Sequence, residues 1–313
     1  MRNFQFRPAK RETVNLIVGL AGGTGSGKTM SALRLAAGIC GDKPFAMIDT
    51  EARRALHYAD SFRFDHGEMK APFSPAAYTD AITAADAAGY PVIVVDSMSH
   101  VWAGDGGVLD WQEAELDRMA GQDWVKREAC KMATWIKPKM AHKHMVQRLL
   151  QVRAHLILCF RAEPKIEMIK EGGKMVIRPK ETLTGKDGWI PVSEKSLPFE
   201  LTASFLLTAD APGMPRPIKL NEQHRPLFPL DKPINEESGK RIAQWAAGAP
   251  GPAEFNEAEH IKVLDRSATP DALKSAFEIA WTASKAMPDA RKRIKAAYDA
   301  RLAELMRPVD EPL

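Results

Sequence analysis

An α/β fold is what this sequence predicts: a mostly parallel sheet with flanking helices, followed by a small helical C-terminal domain. Three observations carry that expectation. Over residues 1–160, short apolar runs rich in Val and Ile alternate with helical patterns, the rhythm of strands joined by crossover helices. The first of these runs, residues 14–21, opens directly into a glycine-rich turn. Beyond Gly248-Ala249-Pro250-Gly251-Pro252, a run that cannot hold regular structure, only helical patterns remain.

Each element follows from its own residues. After the glycine-rich turn a helix is expected from residue 28 to about 40, with Gly41 as its stop. Residues 45–49, Phe-Ala-Met-Ile-Asp, give a second buried strand whose C-terminal end carries Thr50 and Glu51. Ser74-Pro75 sets an N-cap residue before a proline at the first helical position, opening a helix that reaches Gly89. Residues 91–96 form a third strand, continuously apolar because both its faces are buried. A mostly helical insertion occupies about 107–153, and residues 155–160 form a fourth strand ending in Arg161. Residues 165–169 and 174–178 flank Gly172-Gly173, a hairpin signal. Residues 201–208 read as another strand and 236–247 as a helix. The organisation expected is a core over 1–248, a linker over 249–255, and a domain over 256–313 made of two or three short amphipathic helices.

Composition narrows the class. With 313 residues, 45% hydrophobic and 27% charged, the chain can bury a large core, which excludes a disordered protein. A net charge of +4 is compatible with a polyanionic partner without requiring one. The cysteines, Cys40, Cys130 and Cys159, lie too far apart for a zinc ribbon or a disulfide framework, which fits a reducing cytoplasm. Residues 1–12 are polar and basic with no apolar segment behind them, so no signal peptide is expected. No apolar run approaches the roughly 18 residues of a membrane span, so no membrane partner is expected either.

The sharpest chemical signal is Gly22-Gly23-Thr24-Gly25-Ser26-Gly27-Lys28-Thr29, a full G-x-x-x-x-G-K-[ST] pattern between a strand and a helix. Such a loop turns its backbone N–H groups onto phosphate at a helix N-terminus. Lys28 is expected to reach the β- and γ-phosphates of ATP, and the Thr29 hydroxyl to ligate Mg²⁺. The apolar strand ending in Asp96-Ser97 supplies the second carboxylate expected at the metal. Many ATPases place a glutamate directly after this aspartate, and Ser97 stands there instead. Glu51, just past the second strand, is therefore the expected base that polarises the attacking water. Arg161 carries two readings: bidentate contact with a terminal phosphate, or pairing with Glu163 or another carboxylate at the sheet edge.

These residues carry a family resemblance. A P-loop, a strand closing in Ile48-Asp49-Thr50-Glu51 and another closing in Asp96-Ser97 resemble the RecA-type ATPase core, in which the glutamate after the second strand activates water. The run 48–60 with Asp96-Ser97-Met98-Ser99-His100 is similar to the RecA-like AAA-family ATPases of bacteriophages and prophages, some of which are thought to serve in single-strand annealing or recombination. The resemblance covers about residues 12–230 and implies a RecA-like P-loop NTPase core that forms a homo-oligomer. It also implies a place for Tyr58 against adenine, although packing in the core is the other reading of that residue. A basic residue reaching the neighbouring subunit's site would be Lys180 or Lys186, and Phe6-Arg7-Pro8-Ala9 fits the Phe-x-x-Ala pattern by which some recombinases dock on a neighbour. The chain departs from RecA in lacking a glycine-rich DNA loop after the fourth strand, and in placing Arg161 where a glutamine often senses the γ-phosphate.

The insertion concentrates charge. Lys126, Arg127, Lys137, Lys139 and Lys143, interleaved with Trp124 and Trp135, are the candidates for contact with single-stranded DNA, the alternative being an ordinary solvated helix face. The function expected is an ATP-binding and ATP-hydrolysing protein of DNA recombination or single-strand annealing, with a single-strand-binding protein as a further partner. Two other classes stay open: a small-molecule P-loop kinase, and a non-catalytic ATP-dependent switch that scaffolds replication proteins.

Overall fold

A computed structural model of the chain describes residues 14–172, 174–180, 188–248, 256–284 and 287–306. The chain divides into two compact units, Met1–Gly251 and Pro252–Leu313. The segment expected as a linker, 249–255, lies outside the described residues.

The first unit opens with β1 (Ile17–Gly22), α1 (Lys28–Cys40), β2 (Phe45–Asp49), β3 (Phe64–Glu68), α2 (Pro75–Ala87) and β4 (Val92–Asp96). The insertion follows as α3 (His100–Ala103), α4 (Val108–Ala120), α5 (Trp124–Cys130), a 3-10 turn (Ala133–Trp135) and α6 (Ile136–Leu149). The chain re-enters the sheet as β5 (His155–Pro164), leaves it in the hairpin β6 (Ile166–Glu171) and β7 (Lys174–Pro179), and continues through β8 (Trp189–Pro191) and α7 (Leu197–Glu200). It closes with β9 (Ala203–Thr208), β10 (Ala211–Leu220) and α8 (Glu236–Ala246).

The sheet order is β10-β9-β1-β5-β4-β2-β3, with β8 paired to β5. All pairings from β9 to β3 are parallel, and β10 and β8 add antiparallel edges, so the fold is a mostly parallel mixed sheet with flanking helices. The reason lies in the strands themselves: β1, β2, β4 and β9 are buried along their whole length. Alternate residues feed opposite layers. Val18, Leu20, Met47, Val92 and Val94 pack with Leu33 and Leu35 of α1, while Ile48, Ile93, Val95 and Leu158 pack with Tyr78 and Ile82 of α2 and Met145 of α6. At about 1.5–3 kcal/mol for each fully buried large side chain, these two layers dominate the stability of the unit. Helix α2 begins as its sequence dictates, with the Ser74 hydroxyl accepting from the Ala77 N–H at 3.2 Å.

Three strands have no counterpart in the sequence reading. Strand β3, Phe-Asp-His-Gly-Glu, is a half-exposed sheet edge without apolar alternation. Strand β10 contains Pro212, Pro215 and Pro217, which an edge strand with register shifts tolerates. Strand β8 is only three residues long. The hairpin around Gly172 forms as expected, Met168 facing Ile177 and Lys170 facing Met175.

The second unit holds α9 (Glu257–Asp265), α10 (Pro270–Ala283) and α11 (Pro288–Leu305). Asn256 and Thr269 cap the first two, accepting from the Glu259 and Ala272 N–H groups at 3.2 Å each. Leu264, Leu273, Ala280 and Ile294 form its core, with the Phe277 and Tyr298 rings 4.4 Å apart.

Candidate active site

Strand β1 delivers the glycine-rich loop from the middle of the sheet to the N-terminus of α1. Gly27 stands at the helix N-cap with φ 82°, and a Cβ there would lie 2.9 Å from the Gly213 nitrogen. A Cβ at Gly22 would collide with the Leu207 carbonyl of β9. The loop closes on itself: the Ser26 hydroxyl and the Lys28 ammonium each donate to the Gly23 carbonyl at 2.8 Å. A cleft of about 660 Å³ runs from this loop past Glu51, Arg54 and Tyr58 to Asp96, Arg161 and Glu163. It thus gathers residues 22–29, Tyr58, Asp96, Glu51 and Arg161, spread over three sheet strands, the loop that opens α1 and the segment after β2, into one concavity.

At the foot of the cleft the Thr29 hydroxyl donates to Asp96 Oδ2 at 2.6 Å. Asp96 is buried, and burial raises its pKa, as do the Glu51 and Asp49 carboxylates, while the Thr29 hydrogen bond and the Lys28 charge act the other way. Two hard oxygens meeting beside a phosphate loop are the donor chemistry that Mg²⁺ selects. Among the described residues no group of three or more His, Cys, Asp or Glu side chains could hold a metal. A Mg²⁺ here therefore fits as an ion sharing its coordination with phosphate oxygens and water, the usual habit of that ion.

Glu51 is held from below. The Asp49 carboxylate, 1% exposed, accepts from the Glu51 N–H at 2.7 Å and from the Ala55 N–H at 3.0 Å, and its Oδ2 lies 3.1 Å from His66 Nε2 on β3. Between these anchors the chain turns through Ala52 and Arg53, both at positive φ. Alongside, Thr50 Oγ1 accepts from the Ser97 N–H at 2.7 Å and lies 2.8 Å from His100 Nδ1, and the Tyr78 hydroxyl donates to the Ser97 carbonyl at 2.8 Å. The Asp96–Ser97 peptide in this network is cis. The tips of β2 and β4, and so Glu51 and Asp96, are tied together by these bonds.

The Glu51 carboxylate itself is engaged. Arg161 donates to Oε1 from Nε at 3.0 Å and from Nη2 at 2.7 Å, and to Oε2 from Nη2 at 2.8 Å. Arg54 Nη1 lies 3.7 Å away and His100 Nε2 3.8 Å away. Of the two readings of Arg161, carboxylate pairing is the one seen, and its partner is Glu51; Glu163 pairs instead with Lys165 at 3.2 Å. Burial, and next the Arg161 charge, lower the His100 pKa, against the opposing pull of Glu51.

Tyr58 lines the cleft and also packs against the core. In the insertion the candidate cations differ in freedom. Arg127 is tied to Glu113 and Asp117, Lys137 lies 3.2 Å from Glu115, and Lys126 lies 3.7 Å from Asp123. Lys139 sits over the Trp135 ring at 5.4 Å, and Lys143 is exposed. The acids of α4, remote in sequence, are what neutralise Arg127 and Lys137. Trp124 is 71% exposed, whereas Trp135 stacks on Trp102 at 6.1 Å. Lys180 is exposed just after β7; Lys186 and residues 6–9 lie outside the described residues.

Sequence reasoning passed over Asp49 as a brace, His66 as its partner, and Thr50, His100 and Arg54 as residues beside Glu51. A hint was present in Asp49 and Thr50, polar residues closing an otherwise apolar strand. Nothing local marks His66, which reaches Asp49 only because β3 pairs with β2.

A phosphate loop on a central parallel strand, its threonine at the start of the following helix bonded to an aspartate at the tip of β4, two strands away, defines a P-loop NTPase. A family model described as an AAA domain, AAA_24, matches residues 15–186, more than half of the chain, and the protein belongs to that family of AAA-type P-loop ATPases. The match takes in the loop, Glu51, Asp96 and Arg161. No curated protein matches the chain. Among the described residues no helix is long and apolar enough to cross a membrane.

Proposed function

We propose that the chain binds ATP with Mg²⁺ and hydrolyses it, as a RecA-like protein of bacteriophage type working on single-stranded DNA in recombination or annealing. The observation that carries the ATPase reading is the convergence of Lys28, the Thr29–Asp96 pair and Glu51 on one cleft. In this reading the loop N–H groups and the Lys28 ammonium hold the triphosphate, and Thr29 and Asp96 hold the Mg²⁺, which neutralises phosphate charge. Glu51, fixed by Asp49, takes up the attacking water and orients it toward the γ-phosphate. Tyr58 offers a ring face at the side of the cleft for the base.

The DNA reading rests on the motif order and on the insertion, where Lys126, Lys139 and Lys143 keep more of their charge available than Arg127 and Lys137 do. Homo-oligomerisation, with Lys180 or Lys186 entering a neighbour's cleft, and work in the bacterial cytoplasm belong to the same reading. A second reading, an ATP-dependent switch that docks another protein, is favoured by one feature: Trp124, Val125, Met132, Ile136 and Met140 are exposed apolar residues beside those lysines.

Steady-state ATPase rates measured with and without single-stranded DNA separate the two. The recombination reading expects stimulation, together with filter binding that weakens steeply as salt rises; a rate indifferent to DNA and no binding at low salt would reject it. Glu51→Gln is expected to keep ATP binding and lose turnover. Lys28→Ala with ATP retention intact would refute the nucleotide site itself.

A further inference from the structure

The engagement of Glu51 is at odds with a base at work. A carboxylate whose two oxygens accept three bonds from one guanidinium has little left for a water molecule. We propose that Arg161 is a latch on Glu51 operated by the γ-phosphate: the guanidinium covers the carboxylate until a terminal phosphate in the cleft draws it across, and only then can Glu51 take up water. This rests on the ATPase reading above and adds to it a means by which ATP, and not ADP, prepares its own hydrolysis.

The geometry says which partner can move. Glu51 is fixed through its own N–H to the buried Asp49 and is 15% exposed. Arg161 is 52% exposed and lines the cleft. Its backbone is fixed, the N–H donating to Ser99 Oγ at 2.8 Å, and its Cα lies in register with Gly22, at the start of the phosphate loop. A long side chain rooted there can swing between the carboxylate and a terminal phosphate with no change in the sheet. The exchange is also electrically reasonable, because a terminal phosphate carries more negative charge than a carboxylate and takes the same bidentate fork.

Glu51 does not lose every partner when the guanidinium leaves. Arg54 at 3.7 Å and His100 at 3.8 Å remain beside it, and His100 is itself held through Nδ1 at Thr50. The departing charge had been opposing protonation of His100, so its release strengthens the pull between His100 and Glu51. These residues position the carboxylate; Glu51 alone faces the water.

The test is nucleotide affinity on the full chain with Mg²⁺, using fluorescent ADP and a non-hydrolysable fluorescent ATP analogue, in wild type, Glu51→Gln, Arg161→Ala and the double variant. If wild type must pull Arg161 off Glu51 to bind a γ-phosphate, the neutral glutamine removes that opposition. Glu51→Gln then tightens the ATP analogue several-fold, on the order of fivefold, and leaves ADP unmoved. Arg161→Ala weakens the analogue about tenfold with ADP unmoved, and on that background Glu51→Gln has no further effect. Arg161→Gln, which keeps bulk and polarity without charge, is expected to behave as the alanine variant. Equal shifts for ADP and the analogue, or a Glu51→Gln effect that persists without Arg161, would overturn the latch while leaving the nucleotide site standing. Failure of wild type to bind either nucleotide would overturn the site reading and the latch with it.

Discussion

Replacing Asp49 puts the construction of the site under the sharpest test. Its carboxylate is 1% exposed and satisfies two backbone N–H groups, those of Glu51 and Ala55, with His66 Nε2 on a third side. Asp49→Ala strands both N–H groups in the interior. Hydrogen bonds to a charged acceptor contribute about 1.5–3 kcal/mol each, and the loss of one member of a buried network costs about 3–5 kcal/mol. At about 2–4 °C per kcal/mol for a unit of this size, the midpoint of thermal unfolding should drop by roughly 10 °C. Asp49→Asn loses less: its carbonyl serves Glu51, but its amide then meets the Ala55 N–H donor to donor. Catalysis should suffer beyond stability, since a displacement of about 1 Å at a catalytic group costs about 100-fold in rate. The assays are urea denaturation and ATP turnover at a temperature where each variant stays folded. An alanine variant within about 1 kcal/mol of wild type by the first assay, and equal to it in the second, would refute the idea that Asp49 sets the position of Glu51.

Acid stability should carry the mark of His155, whose Nδ1 accepts from the Leu16 N–H at 3.1 Å and whose burial lowers its pKa from 6.5 to about 4. A depressed folded-state pKa gives stability that is complete above pH 6.5 and lost as pH falls toward 4, about 3 kcal/mol across that window. His155→Asn keeps an acceptor but does not titrate, so its urea midpoint should fall less between pH 7 and pH 4.5; an identical fall in both proteins would discard the assignment. Gly27→Ala forces a side chain into φ 82° and toward the Gly213 nitrogen, whose N–H donates to the Ser26 carbonyl at 2.9 Å. At least tenfold weaker nucleotide binding with the fold retained is expected, on the order of 1.4 kcal/mol, and fluorescence titration measures it.

What the sequence made legible was what is contiguous in it. The phosphate loop needs eight consecutive residues, and the strands that carry Asp49 and Asp96 are unbroken apolar runs, so both could be read directly. The lost strands are those whose residues answer to neighbours and not to a core: β3 with Asp65, His66 and Glu68, and β10 with its prolines. The partner of Arg161 was likewise beyond reading, since Glu51 stands 110 positions away and meets it only because β5, β4 and β2 are adjacent. The same holds for Arg127, which looked free in a stretch with a single acid and is neutralised from α4.

The place of β1 in the sheet has a last consequence. Flanked by β5 and β9 and buried along its whole length, it should exchange its amides for deuterium only in large openings of the unit, so the phosphate loop hangs from an interior, slowly exchanging strand. The turn bearing Glu51 is instead reached through β3 at the rim, where fraying is easier. Grip and chemistry are thereby seated in regions of unequal rigidity, and a disturbance at the rim can silence turnover while the nucleotide stays bound.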